Sequence, residues 1–369
     1  MRLGPPDRKE IRMTVSTTTH RRRLGLKAAA FAAAATLALA GCSSESDAAD
    51  SPAPGGAAAD LGTLTVQLSW IKNAEFAGEF FAIEKGYFKD AGFSDVILNA
   101  GPGATESIVL SGGADFGLSN AVSVGSVIAE EGAPLKIVGT TFQKNPFTIL
   151  SLKDGGNIAT PADLVGKKIG VQAGPNEALF DALLVANGID ASTVEKVPVE
   201  YDPAPLVNGD VDGFLAYVTN EAITVEAEGH PVTNLLFADN GLPFVAESVV
   251  TTDEMIEKSP EKVKAFLKAE ILGWKDAVAD PEEGARLAVE KYGKDLGLDL
   301  EKEVEQATVQ TSLIVTDDTK ANGLFTISDE LIAQNLATLR ASGIELEASD
   351  LFDLSLLAEL LAAEPDLTK

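Results

Sequence analysis

At 369 residues and 45% apolar content the chain has the length and apolar surface for two domains with cores of their own, which excludes a disordered or fibrous chain. Its formal charge is −27; without residues 1–41, which hold eight basic and two acidic residues, 21 basic and 54 acidic residues leave −33. Such a surface repels nucleic acid and anionic lipid headgroups.

Residues 1–41 read as a targeting segment. Arg21, Arg22, Arg23 and Lys27 precede an Ala-rich run from Ala28 to Ala40, shorter than the roughly 20 apolar residues a bilayer span needs. The run ends in Leu39-Ala40-Gly41-Cys42, which resembles the bacterial lipoprotein cleavage box, so Cys42, the chain's one cysteine, is expected to carry lipid. A single cysteine leaves no disulfide framework. Arg22-Arg23-Leu24-Gly25-Leu26-Lys27 approaches the twin-arginine export pattern with Gly25 where a large apolar residue belongs, so Sec and twin-arginine routes both stay open, and Met13 competes with Met1 as the start. Residues 42–61, rich in Ser, Ala, Asp, Gly and Pro, read as a lipidated flexible tether.

From Gly62 short β-branched or apolar strands alternate with helical patterns. Leu64–Leu68, Val96–Leu98, Phe116–Leu118 and Leu135–Thr140 are predicted strands, with helices over Phe76–Asp90, Ala104–Ser111 and Ala121–Glu131. A second run follows Pro161: strands at Lys168–Val171, Val194–Val199, Gly213–Ala216 and Thr233–Phe237, helices at Asn176–Asn187 and Glu221–Glu228, and a short one after Pro203. This is the rhythm of βαβ units. Phe147–Lys153 and Phe244–Thr251 read as extended segments crossing between the lobes, and Glu261–Ala279, Pro281–Tyr292, Glu301–Ser312 and Asp329–Ser342 as helices packing back on the first lobe. The expected fold is α/β with lobe 1 at 62–150, lobe 2 at 151–243 and a mainly helical second part of lobe 1 at 244–369.

Ligands of open α/β sheets sit at the carboxyl ends of strands. Trp70, Asn73, Gly101, Gly103, Ser119, Asn120, Gln143, Gly174, Asn176, Tyr201 and Tyr217 all follow predicted strand ends. An indole and two phenols suit a flat ring, and carboxylates at Glu75, Glu177 and Glu221 suit ring amino groups. After residue 41 the only arginines are Arg286 and Arg340, in the C-terminal helical region, so no guanidinium fork is near the predicted cleft loops to grip an anion, although backbone amides after Gly101 or Gly174 could hold one.

The order of several segments carries a resemblance: Leu68-Ser-Trp70-Ile-Lys-Asn73-Ala-Glu75-Phe76-Ala-Gly78, Ser111-Gly-Gly-Ala-Asp115-Phe-Gly117, Phe142-Gln143-Lys144-Asn145-Pro146, Pro161-Ala-Asp163-Leu-Val-Gly166, Asn208-Gly-Asp-Val-Asp212-Gly and Tyr217-Val-Thr-Asn220-Glu221. Over roughly Leu64 to Asp280 the chain resembles the solute-binding proteins of the sulfonate/nitrate/pyrimidine ABC-importer family, most of all the subgroup for thiamine-precursor pyrimidines or riboflavin. The resemblance implies a two-lobed periplasmic-binding-protein fold of type II with a two-segment hinge. It also implies ligand contacts that include Phe76 and Asn220, an ABC permease with its ATPase as partner, and a monomer held outside the cell membrane by its lipid alone.

The same residues admit plainer roles. Trp70 fits a core, Asn220 an N-cap, Glu221 a helix-start carboxylate, and Asp115, Asp163 and Asp212 turns or caps. Glu282-Glu283 and Glu301-Glu303-Glu305 read as first turns and exposed flanks of helices. The histidines are His20 and His230, too few beside one cysteine for a zinc or iron site, and phosphate-binding glycine patterns are absent, so no metal or cofactor is expected. A pyrimidine-forming enzyme of the same fold, which in related proteins uses an active-site His and a Cys-rich iron motif, and a sensor lipoprotein are the competing classes; a sulfonate, taurine or nitrate is the competing ligand.

Overall fold

The computed structural model describes residues 60–369. The expected signal segment, Cys42 and nearly all of the tether lie outside the described residues.

Among the described residues ten strands form two five-stranded sheets. In the first, β1 (Gly62–Gln67) lies between β2 (Phe93–Asn99) and β3 (Phe116–Ser119), all parallel, and the order continues through β10 (Ala246–Thr252) to β4 (Leu135–Phe142). In the second, β6 (Lys168–Val171) lies between β7 (Glu195–Pro198) and β8 (Gly213–Tyr217), followed by β5 (Phe147–Leu152) and β9 (Val232–Leu236). Each sheet receives one strand just after the chain arrives from the other lobe. These are β10 and β5, and both run antiparallel to their neighbours.

Hence Phe147–Leu152 and Ala246–Thr252 are sheet strands, and the crossings are the short pieces before them, 143–146 and 237–245. The first lies a few residues ahead of the boundary expected at 150. The C-terminal region holds both. The backbone N–H of Gln143 donates to Leu313 O at 2.8 Å and its side chain to Thr326 O at 2.9 Å. Asn335 Oδ1 accepts from Val245 N at 3.0 Å, and Thr338 donates to Pro243 O at 2.7 Å.

The main helices are α1 (Ala77–Glu84), α2 (Ala121–Glu131), α3 (Pro175–Ala186), α4 (Glu221–Ala227), α5 (Pro260–Ala279), α6 (Leu300–Ile314) and α7 (Asp329–Ala341). The helix expected over 76–90 breaks at Gly86, whose φ of +78° is a left-handed turn open to glycine, and resumes as Tyr87–Asp90. One core lies under α1 and α5, where Phe116 stacks on Phe266 at 4.1 Å; Phe76 is fully buried there. A second joins Phe147, Phe180, Phe237 and Phe244. No helix among the described residues is long and apolar enough to cross a membrane.

Candidate functional site

The carboxyl ends of β1 and β3 in one sheet and of β6 and β8 in the other carry the loops predicted to hold a ligand. After β1 the chain turns through Ser69 to Asn73 into a 3-10 turn, Ala74–Phe76. Asn73 caps that turn: its Oδ1 accepts from Glu75 N at 3.2 Å and its amide donates to Gln306, so it positions Glu75. Gly101 N donates to Trp70 O at 2.7 Å, and a Cβ on Gly101 would lie 2.4 Å from Ser69 O, so glycine there lets the two loops touch. Gly103 lies two residues on, with no backbone that close to it.

Trp70, half-buried on the edge of the first core, meets Tyr201 of the second lobe edge-to-face with centroids 5.0 Å apart. Tyr201 remains 43% exposed. Tyr217, at the end of β8, packs edge-to-face on Phe147 at 4.7 Å. Burial pushes its phenol well above the usual value, and Glu247, Glu75 and Glu221 push in the same direction. Three carboxyls thus face one phenol.

Glu221 opens α4, accepts from Tyr217 N at 2.8 Å and from the Asn220 amide at 3.1 Å, and is raised chiefly by burial. Asn220 makes no side-chain capping bond; its Oδ1 instead accepts from Lys302 Nζ of α6 at 3.0 Å, a polar link from the second lobe to the helical part of the first. Glu75 and Glu247 are 2% and 4% exposed and their carboxyls meet one another. Burial is the main cause that raises both, Glu247 to about 7 and Glu75 well above the ordinary carboxylate value, with Glu247 next among the causes acting on Glu75. Ser69 Oγ reaches both oxygens of Glu247, at 3.0 and 2.8 Å.

Other predicted residues are engaged elsewhere. Asn120 caps α2, accepting from Val122 N and Ser123 N, and Ser119 donates to Glu106. Gln143 ties down the first crossing. Glu177 is exposed and paired with Lys196 at 2.8 Å. Asn176 donates to Gln172, and Gly174 opens α3. Glu303, expected on an exposed flank, is buried and accepts from Ala74 N at 2.7 Å; α6 turns that face inward to close the 3-10 turn. Asp115, Asp163 and Asp212 take the plain roles, holding Thr65 N, Thr160 N and Lys168 N.

Glu247 was not among the predicted residues. Its signal is a carboxylate between the apolar pieces Phe244–Ala246 and Val249–Val250, and the backbone adds a second: φ is +45°, a left-handed conformation that a non-glycine residue keeps only where its surroundings hold it.

The family model described as NMT1/THI5 like matches residues 73–284, which takes in the first-lobe turn, the whole second lobe and α5. The chain belongs to the NMT1/THI5-like family. Among relatives, the riboflavin-binding protein RibY of Chloroflexus aurantiacus is 27% identical over 65% of this chain and 69% of its own length. The formylaminopyrimidine-binding protein of Halalkalibacterium halodurans is 27% identical over 72% and 80%. The 4-amino-5-hydroxymethyl-2-methylpyrimidine phosphate synthase of Schizosaccharomyces pombe is 25% identical over 65% and 72%. In fold, the aliphatic sulphonate binding protein SsuA from Escherichia coli superposes with a TM-score of 0.60 at 17% identity, over 76% of this chain and 91% of its own. The NMT1/THI5-like chain therefore has the two-lobed α/β periplasmic-binding-protein fold expected from its strand and helix rhythm.

Proposed function

We propose that this protein is the lipid-anchored, extracytoplasmic binding component of an ABC importer, taking a small planar nitrogen heterocycle, pyrimidine-like or riboflavin-like, and delivering it to the permease. The observation that carries the reading is the meeting of Trp70 and Tyr201 from opposite lobes, beside Tyr217, two buried carboxyls and the half-buried Glu221. Aromatic faces supply stacking area, and carboxyls accept from ring amino groups. No arginine stands among these groups, which favours a neutral or cationic ring over sulfonate or nitrate. The names of the riboflavin- and formylaminopyrimidine-binding relatives point the same way.

Ligand that bridges the two lobes favours their closed arrangement, and closure is what a permease can read. Cys42 would hold the protein at the outer face of the membrane. The test is mass spectrometry of ligand co-purified with the form lacking residues 1–42, followed by calorimetry against aminopyrimidines, riboflavin, taurine and nitrate. Heat with riboflavin or an aminopyrimidine supports the reading; heat with taurine alone overturns the choice of ligand.

The synthase relative raises an enzymatic reading. The resemblance ties that chemistry to an active-site His and a Cys-rich iron motif, and among the described residues there is no Cys and one His, His230, beyond the far end of α4 from Glu221. Turnover of a pyrimidine by the purified protein would revive that reading.

A further inference from the structure

The first-lobe wall of the cleft holds more acid than stacking a flat ring requires. Glu75 comes from the turn before α1 and Glu247 from the strand that enters from the second crossing, so the fold brings together two carboxyls 172 positions apart in a place almost closed to water. Two carboxyls in hydrogen-bonding contact need one proton between them. One oxygen of Glu75 has no hydrogen-bond partner among the described residues, and the left-handed backbone at Glu247 is a strain kept at the site rather than relieved. Around the pair stand Glu79 from α1, Glu221 and Tyr217 from the second lobe, and Glu303 and Lys302 from α6. Lys302, the cation among these groups, is held by Asn220, and Glu303 is held by Ala74 N.

We propose that Glu75 and Glu247 form a cation subsite, which takes a nitrogen heterocycle in its protonated or quaternary form and gives up their shared proton in exchange. This rests on the heterocycle reading of the cleft and narrows it to basic rings. The proton balances in both cases. A neutral basic ring accepts it at a ring nitrogen, the N–H bond forming as the O–H bond breaks, and nothing passes to solvent. A quaternary ring has no lone pair for it, so the proton leaves to the buffer and two carboxylates face the cation. The upward shift of both carboxyls by burial keeps that proton in place near neutral pH until a cation displaces it.

The test is titration calorimetry on the full chain in detergent at pH 6, in two buffers of different ionisation enthalpy. The probes are 4-amino-2-methylpyrimidine, its ring-N-methylated quaternary salt, and uracil, a non-basic ring of similar shape. The quaternary salt is expected to release about one proton per ligand bound, the amine only the fraction of a proton that matches its protonated share in solution, and uracil to bind at least about tenfold more weakly than the amine. Glu247→Gln should abolish proton release and weaken the quaternary salt at least about tenfold more than it weakens uracil; Glu75→Gln carries the same expectation if the first variant does not fold. Uracil bound as tightly as the amine, or a quaternary salt that binds without proton release or not at all, overturns the cation subsite and leaves the heterocycle reading standing. If no ring binds, both fall.

Discussion

The two lobes share one strand plan and differ in what they bury. Relabelled from its own first parallel strand, the order β7-β6-β8-β5-β9 repeats β2-β1-β3-β10-β4, with the incoming antiparallel strand in the same fourth place. Yet the first lobe encloses Glu75, Glu79, Glu247, Glu270 and Glu303, whereas the fully buried polar residues of the second are uncharged, such as Thr148, Ser151, Gln172 and Thr219. A carboxyl withdrawn from water costs stability unless it is protonated or paired. The lesson is a division of labour: the first lobe accepts that cost and contributes the charge of the site, and the second contributes rings and closes on it.

The largest expected effect sets a helix crossing of the first lobe against a sheet strand of the second. α1 and α5 approach so closely that a Cβ on Gly273 would lie 2.2 Å from Gly78 O, and one on Gly78 would lie 2.3 Å from the Trp274 ring. Backbone cannot yield there, so Gly273→Ala should cost about 3 kcal/mol or more by urea denaturation. Gly170 on β6 of the second lobe meets only side chains, at 3.1 Å or beyond, and Gly170→Ala should cost about 1 kcal/mol. Equal losses would dissolve the contrast. Next in size is the shared boundary: Trp70→Ala removes one of the two rings that meet across the cleft and should weaken ligand more than about tenfold, on the order of 1.4 kcal/mol, with the melting temperature nearly unchanged. Unchanged affinity with a lower melting temperature would return Trp70 to the core.

The sequence made the strand and helix rhythm legible because alternation, helical period and turn glycines are local. Pairing is not local. Phe147–Leu152 reads equally well as a crossing segment or a sheet strand, and only its partners, Tyr217 across to β8 and Leu236 across to β9, decide. Trp70, Tyr201, Tyr217, Glu75 and Glu221 were visible as polar or aromatic residues at strand ends. Glu247 was hidden by apolar neighbours, and Lys302 by lying between glutamates on a helix that looked solvated; what each faces is set by residues far away in the chain. Phe76 shows the converse, a residue beside the site in sequence whose ring turns into the core.

A smaller effect sharpens the electrostatic half of the contrast. Behind the cleft Glu79 and Glu270 lie together between α1 and α5, near Trp274, and burial is the first cause raising both, Glu79 from 4.5 to about 8. A carboxyl raised on folding favours the folded state while protonated. Its contribution is whole below pH 4.5 and is lost as pH climbs toward about 8. Glu79→Gln should therefore flatten the fall of melting temperature across that window. Each kcal/mol of charge cost removed at pH 8 should return about 2–4 °C, with no gain below pH 4.5. A fall of the same steepness in the variant would mean that the pair is not the source.

The smallest effect concerns how the first lobe holds the second. Lys302 Nζ donates to Asn220 Oδ1 at 3.0 Å, and its charge partly offsets the burial that raises Glu221, so one side chain from α6 both bridges the lobes and steadies the one carboxyl on the second-lobe side. Lys302→Met keeps most of the apolar stem and removes the bond and the charge. An ordinary hydrogen bond nets about 0.5–1.5 kcal/mol, and solvent screening of the half-exposed ammonium holds this one within that range. Because the link exists only when the lobes meet, the loss should fall on ligand release, about two- to tenfold faster by stopped-flow Trp fluorescence, with the association rate and melting temperature little changed. Slower association with unchanged release would instead assign Lys302 to the entry of ligand, and the two lobes would then be held by the meeting of Trp70 and Tyr201.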